Sequence, residues 1–177
     1  MSGPGETGAG GESFGFHCHT CGAWHDELPF GYGTPAPAFW NEDVARDRRS
    51  RLGEEQCVIE GEHFFVRGRV CLPVEGVEER FEWGVWVSLS EESFLRMSER
   101  WEEQGREDEL PMFGWLSSEL PTYEPSTLNL AAMVYTQPVG TRPLIELEAC
   151  SHPLSVEQRN GISLARVQEL AEARLHC

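Results

Sequence analysis

Between His63 and Leu89 apolar and polar residues alternate with a period of two, the repeat of a strand with one buried face. Cys57 to Ile59, a turn at Glu60-Gly61-Glu62, and His63 to Pro73 predict a strand, a tight turn and a longer strand. A second turn at Glu75-Gly76 leads into a strand from Arg80 to Leu89. Phe64, Val66, Val70 and Leu72 share one face, and Phe81, Trp83, Val85, Val87 and Leu89 share the matching one. The pattern therefore predicts an antiparallel meander with one side packed on a core. The other face carries Phe65, Arg67, Arg69, Cys71, Glu82, Trp86 and Ser88, polar enough to line a cleft or to meet water. A turn centred between Glu75 and Gly76 sets Arg69 across from Glu82, an ion pair worth about 0.2–1 kcal/mol.

The period then changes to that of a helix. Ser90-Glu91-Glu92-Ser93 supplies a capping hydroxyl and an acidic first turn, Phe94, Met97 and Trp101 follow at helical spacing, and Gly105 ends the run. Met112 to Leu116, Leu128 to Tyr135 and Pro143 to Ala149 are further strand candidates. Ser163 to His176 reads as an amphipathic helix with Leu164, Val167, Leu170, Ala171 and Leu175 on its apolar face. The charged stretch Asn41 to Glu55 suits a short exposed helix, and the Gly- and Pro-rich stretch 14–40 a loop-rich knuckle. Residues 1–13 are small, polar and Gly-rich, the composition of a flexible tail. The expected architecture is a single α+β domain over 14–177, an antiparallel sheet packed against two or three helices behind that knuckle.

At 177 residues, 40% hydrophobic and 25% charged, the composition is that of a globular chain able to build a core without disulfides. No apolar run approaches the roughly 18–20 residues that span a bilayer, and the first residues lack the basic start and apolar stretch of a secretory signal. No membrane association is expected, and a cytoplasmic location is. A formal charge of −16 opposes general nucleic-acid affinity, and the cluster Arg46, Arg48, Arg49 and Arg51 reads as a solvated segment. All fourteen basic residues are Arg, which excludes lysine chemistry.

Six cysteines are too few for a disulfide scaffold, and their spacing carries the chemistry. In Cys18-His19-Thr20-Cys21-Gly22 a tight turn can aim two thiolates at one ion, with Gly22 free to take positive φ. Zinc in a structural site takes four such ligands, and His25 and Cys57 are the candidates to complete the set. A redox dithiol and plain packing are the alternatives, the former without the βαβ setting of thioredoxin-like motifs. Catalytic zinc with Asp26, Glu27 or His19 as acid or base has no His-Glu-X-X-His spacing to support it.

Near the other end, Glu148 to Gly161 reads as a strand passing through His152-Pro153 into a helical turn. Cys150 or Ser151 with His152 suggests a nucleophile and base, but no third orienting group is identifiable, and His152 capping the turn is the plainer reading.

The chain resembles a bacterial family of uncharacterised proteins, domain of unknown function 2199. The likeness rests on Cys18-X-X-Cys21-Gly22 with His25 and Leu28-Pro29, Cys57-Val-Ile-Glu, Phe64-Phe65-Val-Arg67-Gly68 and Trp83-Gly-Val-Trp86-Val-Ser88-Leu-Ser90. It continues through Gly114-Trp115-Leu116, Arg142-Pro143, Ile145-Glu-Leu-Glu148 and His152-Pro153-Leu154 to Gly161. It implies that Cys18, Cys21 and Cys57 act together, and that Arg67, Trp86 and His152 belong to a shared pattern. Two functions stand against each other. One is a non-catalytic binding or regulatory module held by structural zinc, its partner an unidentified protein or small molecule. The other is an enzyme whose cleft is lined by Arg67, Trp86 and His152, with Arg67 fixing an anionic group, Trp86 shielding the substrate and His152 as acid or base. The second requires those three side chains to converge.

Overall fold

The structure is a computed structural model that describes residues 14–176; the expected tail at 1–13 lies outside them. Its elements correct the expected architecture. The protein is mostly β, and its central feature is a closed five-stranded barrel within an eight-stranded sheet, with a few short helices.

The barrel is built on two long strands, β6 (His63–Leu72) and β7 (Phe81–Leu89), paired antiparallel along their whole length. From β7 the sheet runs antiparallel through β8 (Met112–Leu116), β9 (Ala131–Tyr135) and β10 (Leu144–Leu147). β10 then pairs parallel with the far edge of β6 and closes the ring, Leu144 opposite Arg69, with the Arg69 N–H donating 2.9 Å to the Pro143 carbonyl. Three short strands extend the sheet outside this ring. β3 (Gly31–Gly33) lies parallel to β7, while β5 (Gln56–Ile59) adds antiparallel to β6 and β4 (Arg51–Leu52) antiparallel to β5.

The alternation predicted from sequence fills the barrel. Val66, Val70, Leu72, Trp83, Val85, Val87, Leu116, Ala132, Val134 and Ile145 point inward and are almost completely buried. One position in that series, Gly68, carries no side chain, and this permits closure. A Cβ there would lie 2.6 Å from Ile145 Cδ1 and 3.0 Å from the Pro143 carbonyl oxygen. Any side chain would therefore hold β10 away from β6.

The β6–β10 pairing lasts a single register because α3 (Pro153–Asn160) competes for β10. The Gln158 side-chain amide accepts from the Leu147 N–H at 2.8 Å and donates to the Ile145 carbonyl at 2.7 Å. It stands in for the next residues of a neighbouring strand, and the two real strands part beyond it.

α2 (Glu91–Glu99) begins at the predicted Ser90 cap, which accepts from the Ser93 N–H, and Asn41 caps the single turn α1 (Glu42–Arg46) in the same way. Ser163 caps α4 (Leu164–Leu175), which buries Val167, Leu170 and Ala171 in the main core but leaves Leu175 exposed.

Two expectations about the outer face of β6 and β7 need correction. Arg69 lies opposite Gly84, and its ion pair with Glu82 runs diagonally at 2.8 Å, because the connection between the strands is longer than a tight turn. The face is also covered: Trp40 and Val44 pack on a second cluster of Cys57, Ile59, Phe65 and Trp86. Trp86 is fully buried and its indole N–H donates to the Thr34 carbonyl at 3.1 Å.

Gly68→Ala is expected to destabilise the protein by roughly 1–3 kcal/mol through overpacking at the seam. Chemical denaturation measures this; an unchanged midpoint would show that β10 closure does not depend on the bare position.

Candidate metal centre

The N-terminal knuckle is a hairpin of two very short strands, β1 (Phe16–His17) and β2 (Trp24–His25), with Cys18 to Ala23 as its loop. The loop is closed by two backbone bonds of 2.9 Å, Gly22 N–H to the Cys18 carbonyl and Cys18 N–H to the Ala23 carbonyl. Gly22 takes φ of 69°, as the Cys-X-X-Cys-Gly spacing requires. Phe16 on β1 is buried in the main core and stacks on His25 with ring centres 4.9 Å apart. The hairpin has little core of its own and depends on what it docks against.

It docks on α4. Gln168, Glu172 and His176 are four residues apart and form one stripe along that helix. The Gln168 amide donates to the His17 carbonyl at 2.8 Å. Glu172 accepts the His19 backbone N–H at 2.9 Å, lies 3.0 Å from His19 Nδ1, and accepts from Gln168 at 2.7 Å. These hydrogen bonds, that of Gln168 foremost and those of His19 after it, hold the Glu172 carboxyl below its usual range although burial opposes them. At the end of the stripe His176 Nε2 lies 3.1 Å from Cys18 Sγ.

Cys18, Cys21 and His176 are thus brought together, their ligand atoms all within 4.8 Å of one another. Across the loop His25 Nε2 lies 3.8 Å from Cys21 Sγ. A tetrahedral zinc with bonds of about 2.0–2.3 Å sets its ligand atoms roughly 3.3–3.8 Å apart. The two thiols and the His176 imidazole would fit such an ion with shifts of up to about an ångström, and His25 lies beside Cys21, outside the three-residue group. His176 was not foreseen from the sequence, where it reads as the frayed end of a helix. The signal was the polar stripe at four-residue spacing that ends on it.

The electrostatics suit the same role. Burial raises the Cys18 pKa, but hydrogen bonds from the Cys21 N–H, His176 and the Thr20 N–H outweigh it and bring the thiol down to about 6. The remaining metal candidate is elsewhere. Cys57 points into the cluster with Phe65 and Trp86, completely buried, and desolvation pushes its thiol up to about 11. Its strand sits outside the ring next to β6, and it stands apart from the Cys18, Cys21 and His176 group.

The residues of the expected cleft do not converge. Arg67 and Trp86 face each other across β6 and β7 on the outer face, with the guanidinium 5.8 Å from the indole centre. His152 belongs to the opposite side. It caps α3, accepting from the Leu154 N–H at Nδ1, its Nε2 lies 2.8 Å from the Pro125 carbonyl, and its ring lies against Tyr123. Tyr123 in turn packs on Trp83, which points into the barrel. The sheet itself separates His152 from Trp86.

In metal-free protein, the lowered Cys18 pKa predicts a step in thiolate ultraviolet absorbance near pH 6 that Cys18→Ser abolishes. The sign for stability follows: with the folded value near 6 and the unfolded value near 9, Cys18 contributes fully above about pH 9 and the contribution is lost as pH falls through 6. A first thiolate step only near pH 9 would contradict the described geometry.

Searches of curated proteins and of solved structures return no match. Residues 17–162 match the family described as "Uncharacterized protein conserved in bacteria (DUF2199)". The match includes Cys18, Cys21 and His25, while His176 lies beyond its end. With most of its length covered, the chain belongs to this family.

Proposed function

We propose that this protein is a non-catalytic binding or regulatory module whose N-terminal knuckle is held by structural zinc. The observation that carries the reading is the convergence of Cys18, Cys21 and His176 from opposite ends of the chain. Two thiolates and an imidazole are the donors zinc prefers, and His25, 3.8 Å from Cys21 Sγ, would as fourth ligand fill the position that a catalytic site keeps for water. Zinc here would tie β1 and β2 to α4, adding folding energy to a hairpin that contributes chiefly Phe16 and Cys18 to the core.

The absence of convergence among Arg67, Trp86 and His152 takes support from a catalytic cleft at those residues. A binding role draws support from the outer face of β8. Phe113 and Trp115 are exposed there, as is Phe39 nearby, and Phe39 and Trp115 line a concavity of about 470 Å³. Exposed aromatics clustered on one face are a common mark of recognition surfaces. The partner is expected to be another protein or a small molecule.

Elemental analysis of the purified protein is expected to find one zinc per chain. Cys18→Ser and Cys21→Ser lose it, His176→Ala weakens its retention by tenfold or more, and Cys57→Ser keeps it. A chelator then lowers the melting temperature of the parent but not of Cys18→Ser. A metal-free parent with a Cys18–Cys21 disulfide would favour a redox dithiol, and a chelator-insensitive melting temperature would remove the structural role.

A further inference from the structure

The seam where β6 and β10 part is a cleft of about 360 Å³ on the outside of the barrel, and none of the Cys-His group lines it. Its volume falls at the small end of the roughly 300–1,000 Å³ typical of ligand sites. Leu144 and Pro73 supply apolar walls, and Gln158 holds the cleft open by occupying the β10 backbone.

Three of the chain's fourteen basic residues line it, Arg69, Arg80 and Arg159, although the protein as a whole carries a charge of −16. Their donors are incompletely used. Arg69 gives one N–H to Glu82, and its Nε–H is buried without an acceptor. Leaving such a donor without a partner is costly, so a carboxylate seated over Arg69 would relieve an existing deficit. Arg159 is held in place by neutral partners alone, the Ser155 hydroxyl at 2.7 Å and the Cys150 carbonyl at 3.0 Å, which leave its charge unbalanced. Arg80 has no hydrogen-bonded or ion-paired partner among the described residues. Its neighbours Glu78 and Glu79 line the adjoining concavity with Phe30.

We infer that this cleft binds a small carboxylate with a compact apolar body, its charge held by Arg80 and Arg159 and its floor formed by Arg69. The charge balance sets the class. Glu82 pairs with Arg69, Glu146 lines the cleft with Arg80 and Arg159, and Glu78 and Glu79 lie beside Arg80 in the adjoining concavity, so a dianion meets more opposing charge here than a monoanion does. Guanidinium groups suit this because each offers paired N–H donors to a carboxylate. Cys71 lines the cleft as a neutral thiol: burial, foremost, and the Glu82 carboxylate raise its pKa. It adds shape and no charge.

The test is a titration of the full, isotopically labelled chain with benzoate, followed through the arginine Nε–H signals by NMR. Benzoate is expected to shift the Arg69 Nε–H signal saturably, neutral benzamide is not, and phenyl phosphate is expected to bind no better than benzoate. Arg80→Gln and Arg159→Gln, both exposed positions that leave the fold intact, each weaken benzoate about fivefold or more, whereas Arg48→Gln does not. No saturable shift, an equal response to benzamide, or binding unchanged in Arg80→Gln and Arg159→Gln would overturn the site. Preference for phenyl phosphate over benzoate would overturn the monoanion assignment.

Discussion

The contact on which the barrel depends is the approach of β10 to β6 at Gly68. Without a side chain at that position, Ile145 crosses directly over the β6 backbone, and the Pro143 carbonyl reaches the Arg69 N–H. Closure removes two sheet edges that would otherwise expose unpaired backbone. It also turns the inward faces of five strands into one apolar interior, in which Trp83, Val85 and Ile145 are almost wholly buried. The outward faces then diverge in use. One stretch is covered by α1 and β5, and another opens as the cleft beside Gln158.

The second constraint links the ends of the chain. Gln168, Glu172 and His176 on α4 engage the backbone and thiol of the β1–β2 loop, so that the hairpin is fixed by polar contacts more than by burial. A buried carboxylate accepting a backbone N–H, with an imidazole one turn further on, holds Cys18 in a geometry suited to a metal. The proposed zinc would strengthen a junction that the hydrogen bonds already define.

Local periodicity was readable in this sequence; closure was not. The alternating faces of β6 and β7, the Ser90 cap and the apolar stripe of α4 as far as Ala171 follow from neighbours within a few residues, and the structure carries them. The β6–β10 pairing joins segments separated by three other strands, and its trace in the sequence was a gap at Gly68 in an otherwise apolar series. An antiparallel meander was the natural reading of the strands taken in order, and the parallel seam corrects it. Phe65 and Trp86 on the face taken as polar signalled that something covers it, and Cys57 lies in that cover. At the metal centre, the loop thiols were legible from spacing. His176 was not, because a polar residue at a helix end is ordinarily solvated and only the docked hairpin gives it a partner.

In the proposed centre, thiolates from the N-terminal hairpin and an imidazole from the C-terminal helix share one ion. X-ray absorption at the zinc edge on the intact protein addresses it directly. A shell of two sulfurs at about 2.3 Å and two imidazole nitrogens at about 2.0–2.1 Å is expected, with one nitrogen lost in His176→Ala. A shell with three or more sulfurs, or one unchanged by that substitution, would contradict the proposed centre.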